Sequence, residues 1–446
     1  MITTRIPPSP TGHLHIGTVR TALFNYLYAR HHGGRFVYRS EDTDRSRSKR
    51  EFETEMIEGL HALGLTWDNE EIVRQSERSD VYRRYLEQGI DSGAFFISKE
   101  ESKQNPGEMV EVVRLKNPNK SITFTDIIRG DITFDTTELG DLVVARSLDD
   151  ALYHFTVVVD DHEMEVTHVL RGEDHISNTP RQILIQEALG FARPQYAHLP
   201  LILAADRSKM SKRHGAVAVK EYLAEGFLPE AIINYLALLG WNPGTDQEIF
   251  SLEELVKDFD LDKVHKSGAV FDRKKFLWIN KAHLDRLPMA AYQKHAEEML
   301  PARVRELNDY SDERLVKLMP VIRERAEIFG DIKVAAEAGE YDFAFEDPEV
   351  PLELLKFKKD PDVAAALPRL QQAMELLKTA DFSSPDTIKA AVWDYAEKEG
   401  RGEVLWPLRV ALTGLERSPD PFTAAYIIGP VDTQRRLQAA CAKISG

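Results

Sequence analysis

Two short segments carry residue types that could stabilise phosphate oxygens. The first, Pro8–Gly17, reads Pro-Ser-Pro-Thr-Gly-His-Leu-His-Ile-Gly and lies between a predicted strand and a predicted helix. Backbone N–H groups and the positive end of a helix dipole favour an anion at such a position. Gly12 and Gly17 would let a ligand approach the backbone, and His15 could donate to a phosphate oxygen. A tight turn with a surface histidine is the alternative interpretation.

The second segment, Ser208–Gly215, reads Ser-Lys-Met-Ser-Lys-Arg-His-Gly. Its three cations, Lys209, Lys212 and Arg213, have small polar residues between them, which suits a loop that closes on polyphosphate. Lysine acts there as a compact point charge on transferring phosphoryl oxygens. A solvated basic loop is the alternative, and most charge runs of this kind are solvated.

Hydrophobic spacing predicts that the first segment lies in a strand–turn–helix–strand unit. The prolines after Arg5 cannot continue a strand, and apolar residues at helical spacing follow Ile16. The acidic run Glu41–Asp44 then follows a strand, at the edge where open α/β sheets bind ligands. The predicted elements are a strand over 2–6, a helix over 16–30, a strand over 36–38, helices over 49–63 and 79–88, short strands within 111–146, a strand over 165–171, and a helix with Thr179 as its N-cap and Gly190 after its end.

The sequence after about residue 216 is mostly helical. Pro320 is expected to break or kink one helix, with a second helix running on to Phe329. The acidic stretch 340–362 is interrupted by prolines and is interpreted as a seam between two helical lobes. Helices are predicted over 231–239, 311–319, 384–396 and 432–444.

The composition excludes several classes of protein. Of the 446 residues, 43% are hydrophobic and 29% charged, which excludes wholesale disorder, a collagen-like chain and a membrane bundle. The net charge of −16 argues against indiscriminate nucleic-acid binding but leaves room for a local basic groove. A single cysteine, Cys441, excludes an intrachain disulfide and fits a reducing compartment. No signal-peptide core or membrane span is recognisable, so we expect a cytoplasmic protein.

Taken together and in this order, the two segments resemble the His-Ile-Gly-His and Lys-Met-Ser-Lys-Ser signatures of class I aminoacyl-tRNA synthetases. Here they read His15-Ile-Gly-Thr18 and Lys209-Met-Ser-Lys-Arg213. Further runs resemble the bacterial-type glutamyl-tRNA synthetase family, so the resemblance covers nearly the whole chain. These runs are Arg5–Gly12, Arg39–Asp44, Val159–His162, Arg171–His175 and, in the C-terminal part, Pro407–Gly414.

The resemblance implies a reaction and an architecture. The reaction is ATP-dependent activation of L-glutamate to glutamyl-adenylate, then transfer to the 2′-hydroxyl of the terminal adenosine of tRNA, with Mg²⁺ on the phosphates. The fold class is an α/β Rossmann-like catalytic domain with an inserted α+β domain, followed by helical domains. The expected boundaries are 1–88 and 147–216 for the catalytic domain, 89–146 for the inserted acceptor-binding domain, 217–285 for the stem-contact domain, and 286–446 for an anticodon-binding domain in two lobes.

The resemblance also implies roles for individual residues. His15, Lys209 and Lys212 are the candidates for stabilising phosphate in the transition state. The expected ATP-binding residues are Thr11, Gly12, His15, Gly17, Asp174 and Lys212.

Glutamate offers two carboxylates and an ammonium group. Arg5 and Arg171 match the family's carboxylate-binding arginines, and a guanidinium pairs with a carboxylate bidentately where a lysine cannot. Which arginine binds the side-chain carboxylate stays open. Glu41 matches the partner of the ammonium group, with hydrogen bonds from Ser9 and Tyr153. The alternatives are an ion pair of Arg171 with Asp174 or Glu173, and a core position for Tyr153.

Two departures from the family pattern bear on metals and partners. Thr18 replaces the second histidine of the first signature, which is common in the glutamyl branch. The region between Phe96 and Glu111 is short and has no cysteine, so a thiolate zinc site is excluded and no zinc is expected. We expect a monomer that binds the acceptor arm and anticodon of tRNA and no membrane.

Three alternative functions remain at this point. A glutamyl-queuosine tRNA synthetase would lack the C-terminal helical part, and a glutaminyl enzyme would carry β-barrel anticodon domains. A catalytically inactive tRNA-binding relative is the third, against which His15, Lys209 and Lys212 argue. Whether tRNA for glutamine is also charged, and which residue contacts the anticodon, do not follow from this sequence.

Overall fold

A computed structural model describes residues 1–101, 107–210 and 218–446 of the chain. The predicted catalytic residue Lys212 lies outside these described residues, as does Arg213. The chain forms two compact units, Met1–His283 and Leu284–Gly446. Within the described ranges, none of the helices combines the length and the apolar composition that a membrane crossing requires.

The first unit contains the described strands of the chain. They are β1 Thr3–Ile6, β2 Arg35–Ser40, β3 Val73–Arg74, β4 Phe95–Glu101, β5 Met109–Leu115, β6 Ser121–Asp126, β7 Gly130–Asp135, β8 Leu142–Ser147, β9 Asp150–Ala151, β10 His168–Gly172, β11 Gln195–Leu199, β12 Ile202–Leu203 and β13 Ala269–Val270. The helices that begin in this unit are α1 Ile16–His31, α2 Arg50–Ala62, α3 Ser79–Asp91, α4 Tyr153–Glu163, α5 Thr179–Leu189, α6 Val219–Glu225, α7 Pro229–Leu238, α8 Leu252–Asp258 and α9 Arg273–Arg286.

Two parallel strand pairs meet at the centre of the first unit. Strand β1 pairs with β2, and β10 pairs with β11, each pair being parallel. The backbone nitrogen of Thr167 donates to the carbonyl of Thr3 at 3.0 Å, which places β10 beside β1. Helix α1 leads from β1 to one side of this junction, and α5 leads from β10 to the other. The carboxyl ends of β1 and β10 therefore diverge at a topological switch point, where such sheets bind ligands.

The β-rich region between α3 and α4 contributes to two sheets. Strands β4, β5, β8 and β9 form an antiparallel sheet, whereas the hairpin β6–β7 pairs with β11 through Tyr196 and Asp126. One continuous core joins these sheets to α3, α4 and α5, and it includes Phe95, Phe124 and Phe155. The hairpin thus brings Asp126, the last residue of β6, against the catalytic sheet. The domain boundaries given above stay a prediction.

Helix α5 begins one residue earlier than predicted. Asn178 occupies the N-cap position, and Thr179 already has helical dihedral angles (φ −57°, ψ −45°), so the prediction of Thr179 as N-cap is wrong. The Thr179 hydroxyl accepts instead from Nη2 of Arg171 at 2.8 Å. Gly190 ends the helix at φ 71°, as predicted. The side chain of Thr179 therefore makes a tertiary hydrogen bond and does not cap the helix.

The second unit is helical in its described residues. Its helices are α10 Met289–Met299, α11 Ala302–Arg305, α12 Asp312–Arg325, α13 Phe329–Glu337, α14 Ala366–Leu377, α15 Pro385–Glu399, α16 Arg401–Thr413 and α17 Pro421–Ser445. Helix α12 runs through Pro320, so the break, one of the two expected effects of this proline, is wrong. Phe329 begins the next helix, so the expected helix running on to Phe329 is also wrong. Val316, whose carbonyl loses its helical partner to Pro320, is exposed and its backbone can reach water.

The last helical segment consists of two helices joined at a kink. Helix α17 kinks at Gly429, whose φ of 84° is left-handed, and Pro430 follows it. The predicted helix over 432–444 is the part after this kink. The stretch interpreted as a seam carries two 3₁₀ turns, Asp342–Ala344 and Leu352–Leu355, and lies within the second unit.

Candidate active site

A cavity of about 840 Å³ opens at the switch point between β1 and β10. It is lined by the loop after β1, the start of α1, the end of β2, the start of α4 and the residues after β10 and β12. Of the predicted site residues, those that line it are Arg5, Ser9, His15, Gly17, Glu41, Tyr153, Arg171, Asp174 and Lys209. Thr11 and Gly12 lie in the same loop but do not line the cavity.

One end of the cavity is the N-terminus of α1. His15 is the N-cap residue, and its Nδ1 accepts from the backbone nitrogen of Thr18 at 3.3 Å. A Cβ at Gly17 would lie 3.1 Å from the His15 ring, so glycine lets the ring fold against the helix start. The first turn of α1 has no acidic residue. Its N–H groups and dipole can therefore stabilise an anion in the cavity.

Lys209 and Asp174 form an ion pair beside this helix start. Lys209 Nζ lies 2.8 Å from Asp174 Oδ2, and both side chains are about half exposed. Burial raises the pKa of Asp174, but the hydrogen bond from Lys209 and nearby positive charge outweigh it, so the pKa is lowered overall. An exposed pair of this kind contributes little to stability. Lys209 can therefore exchange Asp174 for a phosphate oxygen at small cost.

Arg171 is buried and its direct hydrogen-bond partners are neutral. Nη1 donates to Gln182 Oε1 at 2.8 Å, Nη2 to Thr179 Oγ1 at 2.8 Å, and Nε to His198 Nε2 at 3.2 Å. Burial lowers the pKa of Arg171, as expected for a desolvated cation. A buried charge without a charged partner is costly, so this guanidinium is prepared for an anion that arrives from the cavity.

Arg171 does not form the ion pair with Asp174 or Glu173 that was the alternative interpretation. Asp174 pairs with Lys209, and Glu173 pairs with Arg129. Glu173 also accepts from the backbone nitrogen of Leu201 at 2.8 Å. Both carboxylates that the sequence offered as partners are therefore engaged elsewhere.

Arg5 and Glu41 belong to a buried network of charges. Asp161 Oδ1 lies 3.3 Å from Arg5 Nε and 2.8 Å from Arg39 Nη1, and Arg39 Nη2 donates to Glu41 Oε1 at 3.0 Å. Burial raises the pKa of Glu41, against the effect of Arg39. Burial also acts to raise the pKa of Asp161, but Arg5 and Arg39 outweigh it and lower the pKa overall. Arg5, unlike Arg171, thus already shares a carboxylate.

Tyr153 lines the cavity from the first turn of α4. Its hydroxyl lies 3.5 Å from Nδ1 of His175, which also lines the cavity. Burial raises the pKa of Tyr153 to about 12, with Glu41 adding to the shift, so the hydroxyl stays protonated near neutral pH. The hydroxyl of Tyr153 can therefore donate a hydrogen bond to a ligand. Because Tyr153 lines the cavity, it does not occupy the core position that was the alternative interpretation.

Several functional neighbours were not singled out from the sequence. Arg39, Asp161, Gln182 and His198 hold the site residues in place, and each is buried. The available signal was a charged or polar residue within an apolar run, as in Phe36-Val-Tyr-Arg39 and Val157-Val-Val-Asp-Asp161. Such a residue needs a partner when buried, which marks it as part of a network.

The sequence predicts that the chain has no thiolate zinc site. Among the residues that the structure describes, no three or more His, Cys, Asp or Glu side chains are grouped so as to hold a metal ion. The cavity therefore offers isolated carboxylates, Glu41, Asp174 and Glu221, and not a metal cage.

Two parts of the chain match described protein families. Residues 1–106 and 94–278 match the family described as tRNA synthetases class I (E and Q), catalytic domain. Residues 292–441 match an anticodon binding domain.

Similar proteins cover nearly the whole chain. A glutamate–tRNA ligase of Carboxydothermus hydrogenoformans is 37% identical, over 98% of this chain and 99% of its own. One of Aquifex aeolicus is 41% identical, over 93% of each chain. A crystal structure of a glutamate tRNA ligase from Elizabethkingia meningosepticum in complex with its amino acid matches with a TM-score of 0.86, at 32% identity and covering 99% of both chains. The chain therefore belongs to the class I tRNA synthetases of the E and Q group.

Proposed function

We propose that this chain activates L-glutamate with ATP and ligates it to tRNA. The observation that carries the proposal is one cavity with two complementary ends. A helix N-terminus and Lys209 suit polyphosphate at one end, and the buried Arg171 with its neutral partners suits a carboxylate at the other. The relatives named glutamate–tRNA ligase, which match over nearly the whole chain, support the same reaction.

Glutamate is held at the carboxylate end. Arg171 is the better candidate for an added carboxylate, because Arg5 already shares Asp161. Glu41 accepts from the substrate ammonium group, and burial makes that contact stronger than it would be in water. Ser9 and Tyr153 add hydrogen bonds from the walls of the cavity.

ATP is held at the helix end. His15 and the start of α1 contact phosphate, Gly17 admits the close approach, and Lys209 and Lys212 stabilise charge that develops on the phosphoryl oxygens. Thr11 and Gly12 contribute from the loop, and Asp174 positions Lys209.

Mg²⁺ bound with ATP would be held mostly by phosphate oxygens and water, and would neutralise phosphate charge. The isolated carboxylates of the cavity fit that mode of binding.

The reaction proceeds in two displacements. An oxygen of the glutamate α-carboxylate attacks the α-phosphorus of ATP, and pyrophosphate leaves. The 2′-hydroxyl of the terminal adenosine then attacks the carbonyl carbon of the glutamyl-adenylate, loses its proton, and AMP leaves. The protein forms no covalent bond in this scheme, so positioning and charge stabilisation account for the rate enhancement.

The C-terminal part distinguishes this proposal from its alternatives. A glutamyl-queuosine enzyme lacks that part, whereas residues 292–441 match an anticodon binding domain. The described C-terminal residues form helices, which does not suit the β-barrel domains of a glutaminyl enzyme. We further propose that the chain acts as a monomer in the cytoplasm, which light scattering of the purified protein and fractionation of cells would test.

Charging assays test the proposed function directly. The purified chain, ATP and Mg²⁺ are combined with tRNA for glutamate or tRNA for glutamine, each with labelled glutamate or labelled glutamine. We expect glutamate to be attached to its own tRNA and glutamine to be attached to neither. Binding of tRNA without charging would establish the inactive relative, and charging with glutamine would establish the glutaminyl alternative.

A further inference from the structure

A chain of three buried side chains leads from the β6–β7 hairpin to Arg171. Arg171 and His198 are register partners on β10 and β11, and Arg171 Nε donates to His198 Nε2 at 3.2 Å. On the other side of the ring, His198 Nδ1 lies 2.6 Å from Asp126 Oδ2. His198 and Asp126 are essentially inaccessible to solvent, with exposures of 0% and 1%.

The hydrogen bonds determine which ring nitrogen of His198 carries the proton. The Asp126 carboxylate accepts from the backbone nitrogens of Ile128, Arg129 and His198 at 3.0, 2.9 and 3.0 Å. An ionised carboxylate has no proton to donate, so Nδ1 of His198 donates to it. In the neutral ring, Nε2 is then left with a lone pair, which faces both Nε of Arg171 and the hydroxyl of Thr179 at 3.2 Å.

The charges around the ring agree with this neutral form. Burial lowers the pKa of His198, and Arg171 and Arg129 act in the same direction, against Asp126. His175 and the ring of Tyr196 are the other titratable groups that face it. A proton on Nε2 would direct an N–H at the Arg171 guanidinium and oppose two positive charges in a buried site.

We propose that His198 is a positioning residue for glutamate binding: Asp126 fixes its tautomer, and its Nε2 lone pair fixes the plane of the Arg171 guanidinium. This inference rests on the proposed function, in which Arg171 receives a substrate carboxylate. Bidentate pairing requires the two guanidinium N–H groups to lie in the plane of the carboxylate, so an Arg171 that is held only through Nη1 and Nη2 would bind glutamate more weakly. The later chemical steps do not involve His198.

Replacing His198 by asparagine or by glutamine tests its two hydrogen bonds one at a time. In His198→Asn the amide nitrogen takes the place of Nδ1 and can still donate to Asp126, but no acceptor remains for Arg171. In His198→Gln the amide oxygen reaches the place of Nε2 and can accept from Arg171. We expect the asparagine variant to raise the KM for glutamate about tenfold with little change in kcat, the loss typical of one hydrogen bond to a charged group. We expect the glutamine variant to restore most of that loss.

The same two substitutions at His168 are the matched control. His168 is also buried, on β10, but it lies at the strand end opposite Arg171 and contacts Thr167. Its variants should match the wild-type KM for glutamate. Partial unfolding lowers the concentration of active enzyme and hence kcat, but it leaves KM unchanged, so a purely structural role would not mimic the expected result.

A third variant tests the role of Asp126. In Asp126→Asn the amide oxygen can accept the backbone N–H groups while the amide nitrogen faces Nδ1, which moves the ring proton to Nε2. We expect a rise in the KM for glutamate at least as large as that of His198→Asn. The inference is overturned if His198→Asn retains the wild-type KM, or if His198→Gln is no better than His198→Asn. If the wild-type protein does not charge tRNA with glutamate at all, the proposed function fails, and the inference fails with it.

Discussion

Replacing Arg171 by alanine tests the carboxylate end of the cavity. Truncating one partner of a buried charged pair typically costs about 2–5 kcal/mol. The guanidinium is only 6% exposed and has no directly bonded carboxylate, so its charge is available to the substrate. Because its direct hydrogen-bond partners are uncharged, removing Arg171 leaves none of them as an unpaired charge, which favours the lower half of that range. We therefore expect kcat/KM for glutamate to fall roughly 30- to 300-fold.

The assay is steady-state charging of tRNA at varied glutamate with saturating ATP and tRNA. Arg171→Lys keeps the positive charge but loses the planar fork, so we expect a loss of about tenfold, smaller than that of alanine. Arg193→Ala is the matched control, because Arg193 pairs with Glu187 at the surface and does not line the cavity. It should remain within about twofold of wild type, as for most surface substitutions.

Two results would contradict the role of Arg171 in binding the substrate carboxylate. If Arg171→Ala leaves the glutamate dependence unchanged, the three hydrogen bonds of Arg171 serve only the packing of β10 against α5. A uniform loss of kcat with unchanged KM for glutamate, together with a lower melting temperature, would point the same way. The carboxylate-binding role would then pass to Arg5.

Four further results are expected. Lys209→Ala should lower kcat about 10²- to 10³-fold at an unchanged melting temperature, and near-wild-type turnover would remove Lys209 from the mechanism. Exchange of ATP with pyrophosphate should be negligible with glutamate alone and clear once tRNA is added, since remote binding energy then orders the site; robust exchange without tRNA would contradict this. Burial lowers the pKa of His154 to about 4, so the unfolded chain binds that proton first as pH falls. Stability should therefore drop by about 2 kcal/mol between pH 7 and pH 5 in wild type relative to His154→Gln, measured by urea unfolding. Metal analysis should find no stoichiometric zinc, and one zinc per chain that survives a chelator would overturn that expectation.

The elements around the site were predictable because their signals are local. Prolines end β1, and glycines follow the ends of α1 and α5, so the strand–turn–helix pattern placed His15 and Glu41 on the same sheet edge. The partners of Arg171 were not predictable. They come from α5 and β11, and only the folded chain brings Gln182 and His198 to the same guanidinium.

The misplaced helix boundaries have a common physical reason. Local propensity assigns Thr179 to a cap and Pro320 to a break, but tertiary contacts decide both positions. The hydroxyl of Thr179 is used by Arg171, and the apolar face around Pro320, with Leu318, Met319 and Ile322, is buried on both sides of it. Burial of such a face outweighs one missing backbone hydrogen bond.

The hydrogen bond between Thr3 and Thr167 joins residues that are 164 positions apart, and it has a consequence for synthesis of the chain. A ribosome adds about 5–20 residues per second, so β10 is synthesised roughly 8–30 s after β1. During that interval β1 has no partner for the edge that β10 covers in the folded chain. Unpaired edges of this kind attract other chains, and long-range parallel pairing is slow. The edge of β1 is therefore open to pairing with other chains until about residue 170 has been made.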